Sequence, residues 1–220
     1  MLQFSYSHFQ IGIMATRKPR KRPSQSRSIV TVDAIFDATI QVLLGFGLER
    51  LTTTKVAERA GVSVGTLYQY FPNKEALLIA VLERHLSRVV EVVESACSRA
   101  HGQPTKTMVD AVVDAFFVAK LENKSASRAL YAVSSELGGE TVVSRSIARS
   151  ERAIVDMLKS ASDCRFENPA MVGFIASSAV VTPVQALLAS KASTAEFEAV
   201  RLQLKTMIAA YLNEARRASN

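Results

Sequence analysis

Two cysteines and three histidines are all that this chain of 220 residues offers to thiol or imidazole chemistry. Cys97 and Cys164 are too few for a disulfide framework or a four-thiolate zinc site, so a reducing compartment, the cytoplasm, is the simpler home. His8, His85 and His101 are scattered, and no glycine-rich loop has the spacing that cradles phosphate. No catalytic or metal-binding constellation results, and neither enzymatic activity nor a cofactor is expected. Acidic residues are missing from positions 1–28, where six of the 27 basic residues lie. The rest of the chain is nearly neutral. A basic arm on a neutral body points to a polyanion, with nucleic acid first and an anionic membrane surface second.

Membrane signals are equally scarce. Residues 1–14 are uncharged and partly apolar, but the positive charges follow that stretch instead of preceding it, so no secretory signal is expected. The uncharged span from Asn168 to Lys191 is long enough to cross a bilayer. Pro169, Ser177, Ser178, Thr182, Pro183 and Gln185 interrupt it, and Ala170, Gly173 and Ser177 offer a close-packing edge. It reads as a buried helix, with no membrane partner.

What is present is a soluble balance, 48% hydrophobic and 21% charged, arranged with helical period almost throughout. The fold class is all-α, with about nine helices. Val32, Ile35, Phe36, Thr39, Val42, Leu43 and Phe46 mark one face of a first helix ending near Gly45 to Gly47. Two short helices follow at Thr53 to Ala60 and Val64 to Tyr70. A long one, capped by Asn73, then runs to about Ala100. Helices at about Thr105 to Leu121, Ser125 to Leu137 and Thr141 to Ser162 precede one that Asn168 caps with Pro169 at its first position. Ser193 and Glu196 form a capping box for the last. No strand is expected.

The segment from Leu51 to Glu75 reads as helix-turn-helix. Gly61 suits the left-handed residue that ends one helix, and Ser63 caps the next after a turn of about three residues. Val56, Ala57, Val62 and Leu67 supply the seam. The first helix and the long one add the rest of the core, with Phe71 as a plug.

The run TTTKVAERAGVSVGTLYQYFPNKEALL resembles the DNA-binding domain of the TetR/AcrR family of bacterial transcriptional regulators, over roughly Ile29 to Leu78. The Pro-, Ser- and Arg-rich stretch from Lys18 to Ser28 lacks the apolar content to fold, so residues 1–28 are expected to be a disordered basic arm. The resemblance implies the other two parts, a three-helix DNA-binding domain (29–75) and a helical ligand-binding and dimerisation domain (76–220). It places DNA contacts on Thr53, Thr54, Val64, Gly65, Thr66, Tyr68, Gln69, Tyr70 and Lys74. Thr53, Thr66, Tyr68 and Lys74 suit phosphate oxygens, Thr54 and Val64 suit thymine methyls or base edges, and Gln69 can pair bidentately with adenine. Residues 29–75 hold four basic against five acidic side chains. Attraction must therefore come from helix N-termini and from the arm, whose Arg17, Lys18, Arg20, Lys21, Arg22 and Arg27 are assigned to the backbone or minor groove, Arg20 and Arg22 foremost.

One recognition helix reads too little sequence for a genome, so a homodimer on a palindromic operator is expected. The resemblance puts dimerisation in the last two helices, with Phe174, Val181, Leu188, Phe197, Leu204 and Tyr211 as interface candidates. It also implies a small-molecule effector held among the middle helices, a largely apolar one that releases a repressor from its site. Phe116, Phe117, Tyr131, Met157, Met171, Phe174 and Thr182 are the candidate pocket residues. Gating by a protein partner stays open as the alternative. Cys97 and Cys164 read as inert thiols and His85 as an ordinary satisfied histidine.

Overall fold

The computed structural model describes residues 26–217. In chain order the elements are α1 (Ser26–Arg50), α2 (Thr53–Ala60), α3 (Val64–Tyr70), α4 (Lys74–Arg99), α5 (Thr105–Glu122), α6 (Lys124–Glu136), α7 (Glu140–Lys159), β1 (Arg165–Phe166), α8 (Pro169–Ala189), α9 (Thr194–Ala215) and β2 (Arg216–Arg217). The chain is all-α as expected, apart from one antiparallel ribbon of two residues a side that pairs Arg165 with Arg217 and Phe166 with Arg216. Two residues are too few to produce alternation in a sequence, so the ribbon left no signal.

Helix ends follow the capping chemistry. Ser63 Oγ accepts from the Thr66 amide at 3.0 Å, Asn73 Oδ1 from Ala76 at 2.7 Å, and Asn168 Oδ1 from Met171 at 3.0 Å. The Ser193 and Glu196 capping box forms in both directions. Gly61 takes φ 69° and closes α2, which frees the chain to turn into α3. α1 departs from expectation. Gly47, at φ 78°, breaks its helical geometry, and a further short stretch carries it to Arg50.

Two cores form. The first joins Ile35, Ala38 and Val42 of α1, Val56 of α2, Leu67 of α3 and Leu77, Leu78 and Val81 of α4, with Phe71 buried among them. Leu130 and Val133 of α6 belong to it as well, so the headpiece sits on α6 and on the N-terminal half of α4. The second core packs α5, α7, α8 and α9 against the C-terminal half of α4, around Phe117, Phe197, Met108 and Val93. Gly173 lies where α8 crosses α7, and a β-carbon there would stand 2.9 Å from Val155 Cγ2.

α8 and the stretch Ser28–Arg50 of α1 are long and apolar enough to span a bilayer by length and composition. Each instead gives one side to a core. The other side of α8 is exposed, which the expectation of a buried helix missed: Met171, Phe174 and Ile175 face outward, as do Leu202 and Met207 of α9.

Candidate DNA-binding face and buried cavity

α2 and α3 meet through Val56, Ala57 and Leu67, all buried, so the opposite side of α3 is turned out of the molecule. Gly65, Tyr68 and Gln69 are exposed on it, Thr66 and Val64 half-exposed, and Thr54 is exposed at the start of α2. Tyr68 Oη lies 3.1 Å from Thr53 Oγ1, which joins the two helices at their outer edge. The Thr66 hydroxyl lies 2.8 Å from Ser63 Oγ. Lys74 Nζ donates to the Leu48 carbonyl at 3.4 Å and so holds the end of α1. Tyr70 requires a correction. It is 8% exposed, its ring lies 6.3 Å from that of Phe71, and it serves the core, not the outward face. Helical geometry explains this, since Tyr70 lies three residues after Leu67 and shares its face. Arg20 and Arg22, with the rest of the arm up to residue 25, lie outside the described residues.

The second domain holds a partly open cavity of about 170 Å³ between α4, α5, α6, α7, α8 and α9, with the exposed Tyr131 and Ile147 among its lining. Val89, Val90 and Val93 of α4 and Val109, Val113 and Phe116 of α5 form much of its wall. Among the expected pocket residues, Phe116, Tyr131 and Met157 line it. Phe117 does not: it is 1% exposed and packs edge-on to Phe197, 6.4 Å between centroids. Met171, Phe174 and Thr182 are on the outer side of α8, because they fall on the helix face opposite Val172, Ala176, Val180 and Val184.

The expected interface set also divides. Phe174 is exposed, whereas Leu188, Phe197 and Leu204 are buried in the chain's own core. Val181 lines the cavity, and Tyr211 packs half-buried on the core. The exposed apolar residues of α8 and α9 are instead Met171, Phe174, Ile175, Leu202 and Met207.

Polar groups that sequence reasoning passed over stand inside the cavity. Ser127 donates to the Lys120 carbonyl at 3.1 Å, which leaves its oxygen to accept from His85 Nε2 at 3.2 Å. Burial, with the nearby Lys120 and Arg88, pushes His85 down to about 4, so its ring is neutral near pH 7. Burial also lowers Lys120 to about 8. The signal that pointed to Lys120 is its position. It continues the stripe Val109, Val113, Phe116 along α5, where an apolar residue is due. Cys97 is pushed up to about 12 by burial and Glu94, and burial with Asp163 raises Cys164 too, which disfavours the thiolate at both.

α4 ties the parts together. Near its middle Arg84 donates to Asp33 of α1 at 2.5 Å and lies over the Phe36 ring, and further along Arg149 of α7 donates to both oxygens of Glu94. Leu82 and Leu130 belong to the headpiece core and line the cavity at the same time.

A helix-turn-helix headpiece with an outward recognition face, carried on a helical domain with an apolar cavity, defines a DNA-binding regulator. The family models agree: that of the bacterial regulatory proteins of the tetR family matches residues 35–81, and that of the tetracyclin repressor-like C-terminal domain matches residues 104–212. The chain belongs to the TetR family. The HTH-type transcriptional repressor KstR of Mycolicibacterium smegmatis is 40% identical over 83 residues, 38% of this chain and 35% of that protein. The fatty acid metabolism regulator protein of Bacillus subtilis is 37% identical over 60 residues, 27% of this chain and 31% of its own length. The chain thus spans about a third of the curated relatives it matches. The fatty acid degradation regulator FadR of Bacillus halodurans shares the fold, with a TM-score of 0.65 at 18% identity over 86% of this chain and 95% of that one.

Proposed function

We propose that the protein is a ligand-responsive cytoplasmic repressor that binds a palindromic operator as a homodimer and leaves it when a small, largely apolar effector fills the cavity. The observation that carries this reading is the double duty of Leu82 and Leu130. A ligand that displaces the cavity wall moves side chains on which the headpiece rests. Because packed cores shift between discrete arrangements, such a displacement reorients the headpiece as a unit.

Thr54, Gly65, Thr66, Tyr68 and Gln69 are the groups offered to DNA, with Gln69 as the base reader and Thr53 and Lys74 as phosphate partners. Repression is supported by the repressors among the relatives. Dimerisation is supported by the exposed Met171, Phe174, Ile175, Leu202 and Met207, an apolar surface of the kind that marks an interface.

Genomic binding-site mapping, followed by a mobility-shift assay on the recovered sites, tests the reading. A twofold-symmetric site preferred over random DNA by about 10³ or more is the expected result. Binding with no sequence preference, or a preference unmoved by every ligand that raises the melting temperature, contradicts it.

A further inference from the structure

The cavity has one sign of charge. Its lining includes no Asp or Glu, and Lys120 is the only Lys or Arg in it. The other half-buried lysines are all engaged: Lys55 with the Arg50 carbonyl, Lys74 with the Leu48 carbonyl, Lys124 with the Ala192 carbonyl, and Lys205 with Asp110 and Asp114. Among the described residues Lys120 Nζ has no acidic partner: it stands 5.7 Å from the centroid of the Phe116 ring and near enough to His85 to disfavour a second charge there. An ammonium drawn out of water without a counter-ion is costly, and the depressed Lys120 value records that cost.

Three of the neighbouring hydroxyls are spoken for, and the remaining polar groups of the wall, Tyr131, Ser134, Ser150 and Gln185, carry no charge. Ser127 donates to the Lys120 carbonyl, Ser146 to that of Val142, and Ser177 to that of Phe174. His85 is neutral and tied to Ser127. Lys120 is thus the cation with donor capacity left, at one point of a wall otherwise built largely from valine, leucine and isoleucine. A neutral hydrocarbon filling this space would leave the ammonium dry and unpaired, and an amine would repel it. An acid group satisfies it, with a charge-assisted bond in a poorly solvated site.

We propose that the effector is an amphipathic monocarboxylate, its acid group on Lys120 and its hydrocarbon body along the valine faces of α4 and α5; this rests on the reading of the cavity as the effector site. The volume, about 170 Å³, is close to the roughly 150 Å³ that admits a benzene-sized guest, so a body of medium length suits it best.

Octanoate, 1-octanol and octylamine share one chain and differ at the head. Calorimetric titration of the full-length protein is expected to give octanoate an affinity about tenfold or more above octanol, with octylamine weakest. In K120M octanoate and octanol should become equal, and K120R should keep the preference. The comparison of head groups on the unaltered protein stands even if a variant fails to fold. Octanol binding as well as octanoate, or K120M retaining the preference, overturns the proposal and leaves the cavity as an effector site. If none of the three binds and none shifts the melting temperature, both readings fall.

Discussion

Tyr68 and Thr53 stand 3.1 Å apart, hydroxyl to hydroxyl, at the outer edge where α3 meets the start of α2. The contact aligns two groups that are both suited to a DNA backbone, and it leaves the neighbouring Gln69 free on the exposed side of α3. Gln69→Ala is therefore expected to cost about 1–3 kcal/mol in operator affinity while leaving binding to random DNA unchanged. Fluorescence anisotropy with operator and random duplexes measures both. Equal reductions on the two would assign Gln69 to the backbone.

Removing residues 1–25 spares α1 and takes away five of the six basic residues of the arm. If the arm lies on DNA, the slope of log affinity against log salt should flatten by about 0.9 for each phosphate that the arm had neutralised. An unaltered slope would mean that the arm only aids solubility.

Phe174→Glu and Leu202→Glu each put a charge on the exposed apolar side of α8 and α9 without touching the buried core. Sedimentation is expected to show monomers where the unaltered chain forms dimers, with operator affinity reduced accordingly. Dimers that survive both changes would place the interface elsewhere.

The neutral state of His85 makes stability depend on pH. The folded ring titrates near 4 against 6.5 for an unperturbed histidine, so the unfolded chain takes up the proton first as pH falls. The stabilisation is complete above about pH 6.5 and is lost on the way down to about 4. Its size is about 1–3 kcal/mol, since the ring is only partly enclosed. Thermal melts between pH 7 and 4.5 should show a smaller fall in His85→Gln than in the unaltered protein. Identical pH profiles would refute the assignment.

Gly139 is a matter of room. A β-carbon there would come within 2.8 Å of Leu82 Cδ2 and 2.9 Å of Ser134 Cα, and the latter is backbone that cannot yield. Gly139→Ala should destabilise by about 1–3 kcal/mol, a drop of several degrees in melting temperature. A melting temperature equal to that of the unaltered chain would show that the α6 to α7 connection tolerates displacement.

Local chemistry was readable from the sequence wherever it lies in neighbouring residues. Ser63, Asn73, Asn168 and Ser193 announce helix starts because each cap reaches an amide only three residues on. Gly61 followed from the same short-range logic, whereas the outward placement of Gly65, Tyr68 and Gln69 was expected from the family resemblance. The division of apolar residues among core, cavity and surface followed from neither. α8 is uncharged throughout, with large apolar residues on more than one side, so its pattern could not tell Phe174, which faces out, from Leu188, which faces in. Aromatic size was also a poor guide to the cavity, since Phe117 fills space while smaller valines leave it open. The one informative exception to the apolar pattern, Lys120, was passed over because a single charge on a stripe resembles a stem lying along the surface.

The sharing of Leu82 and Leu130 sets unequal terms for future change in this chain. Gln69 and its exposed neighbours can be exchanged without disturbing either leucine, so a new operator preference is within reach of a few surface substitutions. A new inducer must reshape a wall on which the DNA-reading half also leans, and variants that accept one will often arrive with altered repression in its absence.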